Sequence, residues 1–476
     1  MSHIPTSNAF KENATGALKD APLQEALGIA RSHSIQTRLN TVARLPEFEA
    51  LRDIGRDLKN HVIANLDHYL LQFEQSVVDR GGHVHWCPDG KSARAKVLEI
   101  CRKVNARTVT KGKTMIGEEI GINDFLFSNG IEPVETDLGE YIIQLRGETP
   151  SHIIGPALHV TKEQVEETFR QAHADLDPKR NLDDPATLMA EAREKLRAGF
   201  LKADVGITGA NFLIADEGAT TIVTNEGNGD LTQTLPRIHI VLASIEKVVP
   251  SLKDAMTLLR ILARSATGQE QSVYTTFSSG PRRPTDLDGP EEFHVVLIDN
   301  GRSSYLGTEF EEMLRCIRCG ACLDHCPVYH SVGGHAYGWV YSGPIGALLT
   351  PAIVGVENAK PLPNASTLCG RCEAVCPMRI PIPKMLRHWR EAEFSRAITP
   401  PAERSGLRLW AFMARHPRLY RLATRIGARV LKTMAGSRGR LASAPLAGGW
   451  TRHRDLPAPQ GRTFHDLWKE KQGGRA

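Results

Sequence analysis

The chain has 476 residues, 41% hydrophobic and 24% charged, which leaves room for more than one domain with a sizeable core. The polar stretch from Met1 to Asp20 lacks the apolar segment of a secretory leader. No run reaches the roughly 18–20 apolar residues of a membrane span, so neither an exported nor a membrane-spanning chain is expected. The net charge of +5 is local: residues 401–476 carry 16 Lys and Arg against 4 Asp and Glu, leaving 43 against 50 elsewhere. A nucleic-acid platform in the globular part is therefore excluded, because such a platform needs a basic folded face.

Residues 1–80 read as a helical segment. An amphipathic pattern begins at Pro46 and runs through Leu51, Ile54, Leu66, Tyr69, Leu70 and Phe73 to a stop at Gly81-Gly82. Residues 81–300 then alternate strand and helix. Strands are expected at His83–Trp86, Arg107–Thr110, Glu132–Thr136, Asp204–Ala215, Ala219–Thr224, Arg237–Ala243 and Phe293–Ile298, with Glu140–Leu145 also extended. Helices are expected at Ser92–Val104, Glu118–Asn129, Lys162–His173 and Pro185–Lys202, the last with Asp184 as cap and Pro185 in its first turn. This alternation predicts an α/β domain whose largely parallel sheet is covered on both faces. Pro281–Pro290 is a loop within it.

Residues 301–400 change character. Cys316-Ile-Arg-Cys319-Gly-Ala-Cys322-Leu-Asp-His-Cys326-Pro327 has the spacing of ferredoxin-type cubane iron–sulfur sites, in which the fourth cysteine serves a second cluster. Cys369-Gly-Arg-Cys372-Glu-Ala-Val-Cys376-Pro377 repeats the end of the pattern. Seven of nine cysteines fall in these two runs, a clustering that suits metal ligation in a reducing cytosol rather than a disulfide framework. Cys87 and Cys101 read as buried structural thiols. Crossing the runs assigns Cys316, Cys319, Cys322 and Cys376 to one 4Fe–4S cluster, and Cys326, Cys369 and Cys372 to a second. The position matching Cys316 in the second run is Ser366. A serine ligand, an open iron, a three-iron cluster, or a serine that only caps a turn all remain open there. The stretches His330–Pro351 and Lys360–Ala365 read as connecting loops, and Ile382–Phe394 as a helix. The whole resembles an α-helical ferredoxin domain.

Residues 401–476 read as a basic amphipathic helix, carrying Leu407, Trp410, Phe412, Leu419, Tyr420, Leu422, Ile426 and Val430, followed by a flexible stretch from residue 436. Such a helix suits an acidic partner, the chain's own acidic body or peripheral contact with an anionic membrane.

Four segments carry a family resemblance: Val134–Leu145, Asp204–Asn211, Val223–Asn228 and Leu235–Ile240. With the two cysteine runs, they make the chain resemble the lactate utilization protein B family over nearly its whole length. The resemblance implies a ribose-5-phosphate isomerase/CoA-transferase-like sheet fused to a two-cluster ferredoxin-type domain. It implies electron transport during oxidation of L-lactate to pyruvate, alongside other subunits and a redox partner or quinone-linked acceptor. The family's cluster ligands fall on the same seven cysteines. The other function class is catalytic, with lactate bound at an open iron near Ser366 or in an α/β-domain pocket.

Within the α/β domain, Thr224–Asn228 is a Gly-containing loop after a strand, where α/β sheets bind ligands. Glu226 is similar in placement to the nucleophilic glutamate of CoA-transferases. Lys113, with Lys111 and Glu118, is placed to hold a carboxylate substrate, although loop lysines are commonly only solvated. Asp216 and His239 read as structural groups, His83 and His85 as a pair without a third metal ligand, His325 as a cluster neighbour and His335 as isolated. No G-x-G-x-x-G fingerprint for a flavin or nicotinamide follows any strand.

Overall fold

The computed structural model describes residues 5–444, 448–451 and 454–473, in two compact units, Met1–Glu393 and Phe394–Ala476. The first unit opens with the short helix Phe10–Ala17, and three longer helices follow, Ala21–Ala43, Phe48–Ala64 and Leu66–Asp79. Asp20 caps the first of these three by accepting the Leu23 N–H at 3.1 Å, with Pro22 in the first turn where its missing N–H costs nothing. The last of them buries Leu66, Leu70, Phe73 and Val77, a stripe at helical spacing that lies against the sheet.

Strands β1 (His83–Cys87), β2 (Thr108–Lys111), β3 (Glu132–Glu135), β4 (Val205–Gly209), β5 (Phe212–Ile214), β6 (Ala219–Thr224), β7 (Ile238–Ser244), β8 (Val248–Val249), β9 (Tyr274–Ser278) and β10 (Glu292–Ile298) follow. Six form a sheet in the order β1-β10-β7-β4-β2-β3, every pair parallel. The two-residue period sorts its side chains between two cores. Ile238, Ile240, Leu242, Val296 and Ile298 pack beneath helix Gly90–Lys103 and its neighbours. Val241, Ala243, Phe293, Val295 and Leu297 pack against Val62, Leu66, Leu70, Phe73 and Val77. Each large side chain buried this way contributes about 1.5–3 kcal/mol, so the N-terminal helices are part of this core. Gly206 in β4 marks a close approach: a Cβ there would lie 1.8 Å from the Thr232 carbonyl oxygen.

Several expectations are corrected. A second sheet, β8-β5-β6-β9, includes antiparallel pairs. Its outer strand β9 escapes a sequence reading because its side chains are polar and half-exposed. Glu140–Leu145 is not extended but lies in helix Leu138–Arg146, capped by Asp137 and closed by left-handed Gly147. Packing of Tyr141 and Ile142 on Phe169, Leu188 and Leu196 outweighs the strand preference of the Tyr-Ile-Ile run. The expected loop His330–Pro351 contains most of helix Gly343–Val354, buried from Gly343 through Pro351. A helix apolar on all sides shows no amphipathic period, and its glycine and prolines disguise it further. The expected helix Glu118–Asn129 is two, Met115–Ile120 and Ile122–Ser128, broken at left-handed Gly121.

In the second unit the basic region forms two helices, Pro401–Arg415 and Pro417–Ala435, rather than one. The stretch expected to be flexible carries a short antiparallel pair, Arg440–Leu441 with Leu456–Pro457. It also carries helix Phe464–Gly473, tied back by Arg425 Nε donating to Asp466 Oδ1 at 2.7 Å. Residues 445–447, 452–453 and 474–476 of that stretch lie outside the described residues. No helix among the described residues is long and apolar enough to cross a membrane.

Candidate iron–sulfur centre and the adjoining cavity

The two cysteine runs have the same local backbone. Arg318 and Gly320, flanking Cys319, have φ of 61° and 75°; Leu368 and Gly370, flanking Cys369, have 54° and 81°. A short helix follows each, Ala321–Asp324 and Arg371–Val375. Left-handed residues on both sides of a cysteine curl the chain around its sulfur, and glycine accepts that conformation without strain.

One cavity is walled by Cys316, Cys319, Cys322 and Cys376, with Ile317, Ile345, Met378 and Ile380 between them. Burial pushes the Cys319 thiol up, and Cys376 and Cys316 push it further. Burial does the same to Cys322, followed by Cys319, Cys316 and Cys376. Cys376 is raised to about 11 by burial, partly offset by the Ile380 N–H. Cys326 is raised by burial and then feels Cys369. Cys372 is pushed to about 12 by burial and Cys326. None of the nine cysteines is paired in a disulfide.

These observations fit an iron–sulfur group. Buried sulfurs that oppose one another's ionisation become jointly favourable only around a multivalent soft cation. Backbone N–H groups already point at them, that of Ile380 reaching Cys376 Sγ at 3.5 Å. Ser366 Oγ accepts the Leu368 N–H at 3.1 Å, and its carbonyl accepts from Arg390 Nη2 at 3.1 Å. That is the turn-capping geometry among the roles open to it. Cys369 is exposed. His325 Nδ1 lies 2.9 Å from the Ala321 carbonyl, bordering the run.

Two residues that sequence reasoning missed hold the second run in place. Arg52 donates through Nη2 to the Ala374 and Cys376 carbonyls, both at 2.8 Å. Arg38 donates through Nη2 to the Val375 carbonyl at 3.0 Å. Both are buried. Arg52 shares the buried helix face of Phe48, Leu51 and Gly55, and an arginine in an apolar stripe is the signal that could have found it.

A buried ionic chain joins the first run to the sheet. Arg302, after β10, donates to Glu119 at 2.9 and 2.6 Å and its Nε lies 3.1 Å from Glu246 Oε2. Glu246, after β7, accepts from Arg318 Nη2 at 3.1 Å. Tyr341 donates to Glu119 Oε2 at 2.7 Å, and Arg318 stacks 5.3 Å over the Tyr341 ring.

At the carboxyl ends of β2, β4 and β7 lies a cavity of about 270 Å³, walled by Lys113, Thr114, Asn211, Glu226, Ser244, Lys247 and Arg318 among others. Glu226 and Lys113 thus share one wall. Lys111 and Glu118 do not hold a substrate with them: Lys111 Nζ is fully buried, 2.9 Å from Glu118 and 2.7 Å from Glu135. Burial raises the Glu135 carboxyl to about 7, more than Lys111 offsets. Burial followed by Glu118 and Glu135 pushes Glu140 well up. Both acids are favoured uncharged in the fold. Their contribution to stability is full below about pH 4.3 and is lost as pH rises through their folded-state values, about 7 for Glu135. Glu140→Gln, neutral at every pH, is expected to leave stability nearly unchanged at pH 4 and to raise it at pH 8. Urea unfolding at both pH values checks this, and an equal shift at both would refute it.

The other singled-out residues are structural or newly paired. His239 bonds Thr208 Oγ1 at 2.8 Å and burial lowers it to about 3. Asp216 donates its backbone N–H to the Pro250 carbonyl. His83 and His85 stack with His294, which the sequence placed far away. His335 is not isolated: its ring lies 4.4 Å from that of His159, with Glu148 beside both. Cys87 and Cys101 are buried.

An α/β domain with a parallel sheet, joined to a helical region where two cysteine runs meet, defines a ferredoxin-type iron–sulfur protein built onto an α/β domain. Family models agree with this division: LUD domain over residues 70–298, 4Fe-4S dicluster domain over 312–380, and lactate utilisation protein B, C-terminal, over 371–473. Lactate utilization protein B of Bacillus licheniformis is 40% identical over 97% of this chain and 97% of that protein. Its namesake in Lysinibacillus sphaericus is 39% identical over 100% and 99%. An uncharacterized electron transport protein, YkgF of Escherichia coli, is 38% identical over 98% of each. The chain belongs to the lactate utilization protein B family.

Proposed function

We propose that this chain is an iron–sulfur electron-transfer subunit of a multi-protein system that oxidises L-lactate to pyruvate in the cytoplasm. Cys316, Cys319, Cys322 and Cys376 hold one 4Fe–4S cluster; Cys326, Cys369 and Cys372 hold a second, its fourth position facing Ser366. The observation that carries the reading is the single cavity walled by three cysteines of one run and one of the other. Bound clusters supply one-electron transfer, and two of them match the two electrons a 2-hydroxy acid releases on becoming a keto acid. The protein's own part is to bury the sulfurs, aim backbone N–H groups at them and set the potential through Arg38, Arg52 and Arg318. The α/β domain is related to the ribose-5-phosphate isomerase/CoA-transferase fold.

Anaerobically purified protein is expected to show electron paramagnetic resonance and visible absorbance of clusters. Both are expected to bleach when L-lactate and the partner subunits are added. Unbleached signals in the full assembly would remove the relay role. A second reading has lactate oxidised on this chain itself, at an open iron facing Ser366 or in the α/β-domain cavity beside the first run. Ser366→Cys separates the two: a relay is expected to keep most of its turnover with a shifted potential, whereas a catalytic open iron would lose turnover entirely.

A further inference from the structure

The relay proposed above makes no use of the cavity at the carboxyl edge of the parallel sheet. Its volume of about 270 Å³ falls at the low end of the roughly 300–1,000 Å³ of small-molecule sites, too small for a dinucleotide. Three cations reach its wall from separate segments, and their engagements differ. Arg318 is paired with Glu246. Lys113 Nζ donates to the Ile154 carbonyl. Lys247 is half-buried and its side chain makes no hydrogen bond or ion pair among the described residues; burial and Arg318 lower it to about 8, with Glu246 and Cys316 opposing.

The two acids on the wall are turned to a helix start. Asp137 Oδ1 accepts the Gly139 and Glu140 N–H groups at 3.0 and 3.2 Å, and burial and Asp137 raise the Glu226 carboxyl, the Leu138 N–H offsetting part of this. The start of helix Leu138–Arg146 thereby holds Asp137, while no side chain among the described residues pairs with Lys247 at ion-pair distance. The remaining wall includes Ile116, Ile153, Leu242 and Leu262. Ile153 and Arg318 also wall the four-cysteine cavity.

We propose that this cavity binds a small monocarboxylate, its carboxylate on Lys247 and Lys113 and its carbon chain against Ile153 and Leu262, next to the first cysteine site. Two ammonium groups facing two carboxylates leave little net positive charge, which favours a monoanion over a phosphate dianion. The choice of a 2-hydroxy or 2-oxo acid rests on the lactate reading above; the anion site itself does not.

The test is isothermal titration of the anaerobic holoprotein with L-lactate, pyruvate and inorganic phosphate in separate runs. Saturable binding of at least one of the two carboxylates is expected. Lys247→Met and Lys113→Met are each expected to weaken it at least about tenfold (roughly 1.4 kcal/mol), with cluster absorbance retained as the check on folding. Lys247→Arg is expected to keep most of the affinity. No binding of either acid, unchanged affinity in both methionine variants, or phosphate binding more tightly than both acids would overturn the proposal. A shift of cluster potential in Lys247→Met with unchanged binding would show that the lysine serves only the cysteine site, and would overturn it too. Carboxylate binding without bleaching in the assembly would sink the relay and leave this site standing; bleaching without binding would do the reverse.

Discussion

Cys376→Ala and Cys316→Ala are expected to erase the same cluster signal, although 60 positions separate the two cysteines in the sequence. Cys326→Ala and Cys369→Ala are expected to erase the other. Each variant is expected to lose about half of the bound iron and keep the remaining signal. The expectation rests on which thiols feel one another. Cys319 is pushed up by Cys376 and Cys316, whereas Cys326 and Cys372 are influenced by Cys369. Removing a buried ligand leaves an open corner that no neighbouring thiolate fills, because Ile317, Ile345 and Ile380 carry no ligand atom and Met378 offers only a neutral thioether. Iron quantification with electron paramagnetic resonance on the four variants checks the pairing. If Cys376→Ala shared its lost signal with Cys369→Ala instead, the crossed assignment would be wrong.

Glu246→Ala is expected to destabilise the first unit by about 3–5 kcal/mol, the range for removing one partner from a buried ion pair. Glu119 still neutralises Arg302 after the change, so the uncompensated charge falls on Arg318. That residue sits between Cys316 and Cys319, so the damage reaches the cysteine loop. Slower cluster incorporation and faster loss in air are expected alongside the fall in stability.

The pH dependence has a definite sign. Burial alone would raise the Glu246 carboxyl, but Arg302 and Arg318 hold it at about 2. Its contribution is therefore present above the ordinary glutamate range near 4.3 and is lost as pH falls from there towards 2. The variant is expected to lack that acid limb. Urea unfolding at pH 7 and at pH 3 measures both effects. A loss under about 1 kcal/mol at pH 7, or an unchanged difference between the two pH values, would show the ionic chain to be dispensable.

Local pattern made much of the architecture legible. The parallel strands β4, β7 and β10 are predominantly apolar, as suits strands covered on both faces. Pro185–Lys202 announces itself by its cap and first-turn proline. Where local pattern and packing disagree, packing wins: Leu138–Arg146 is helical despite a strand-like run, and Gly343–Val354 is helical despite looking like a loop. Glu226 and Lys113 were readable as post-strand loop residues. Lys247 was not, since nothing near it in sequence marks it as facing a cavity.

Sequence by itself determined what lies within a few residues of each signal: cysteines at ligand spacing, the repeated turn around Cys319 and Cys369, and the strand and helix periods of the α/β domain. Only the tertiary structure decided what depends on segments meeting from far apart. Arg38 and Arg52 grip a loop more than 300 positions away. Glu246 ties the end of β7 to the cysteine loop, and a cavity forms where three strand ends and that loop converge. Spacing sets short-range geometry because the chain's covalent links fix it. Long-range neighbours are chosen by the burial of whole faces, which no local pattern records.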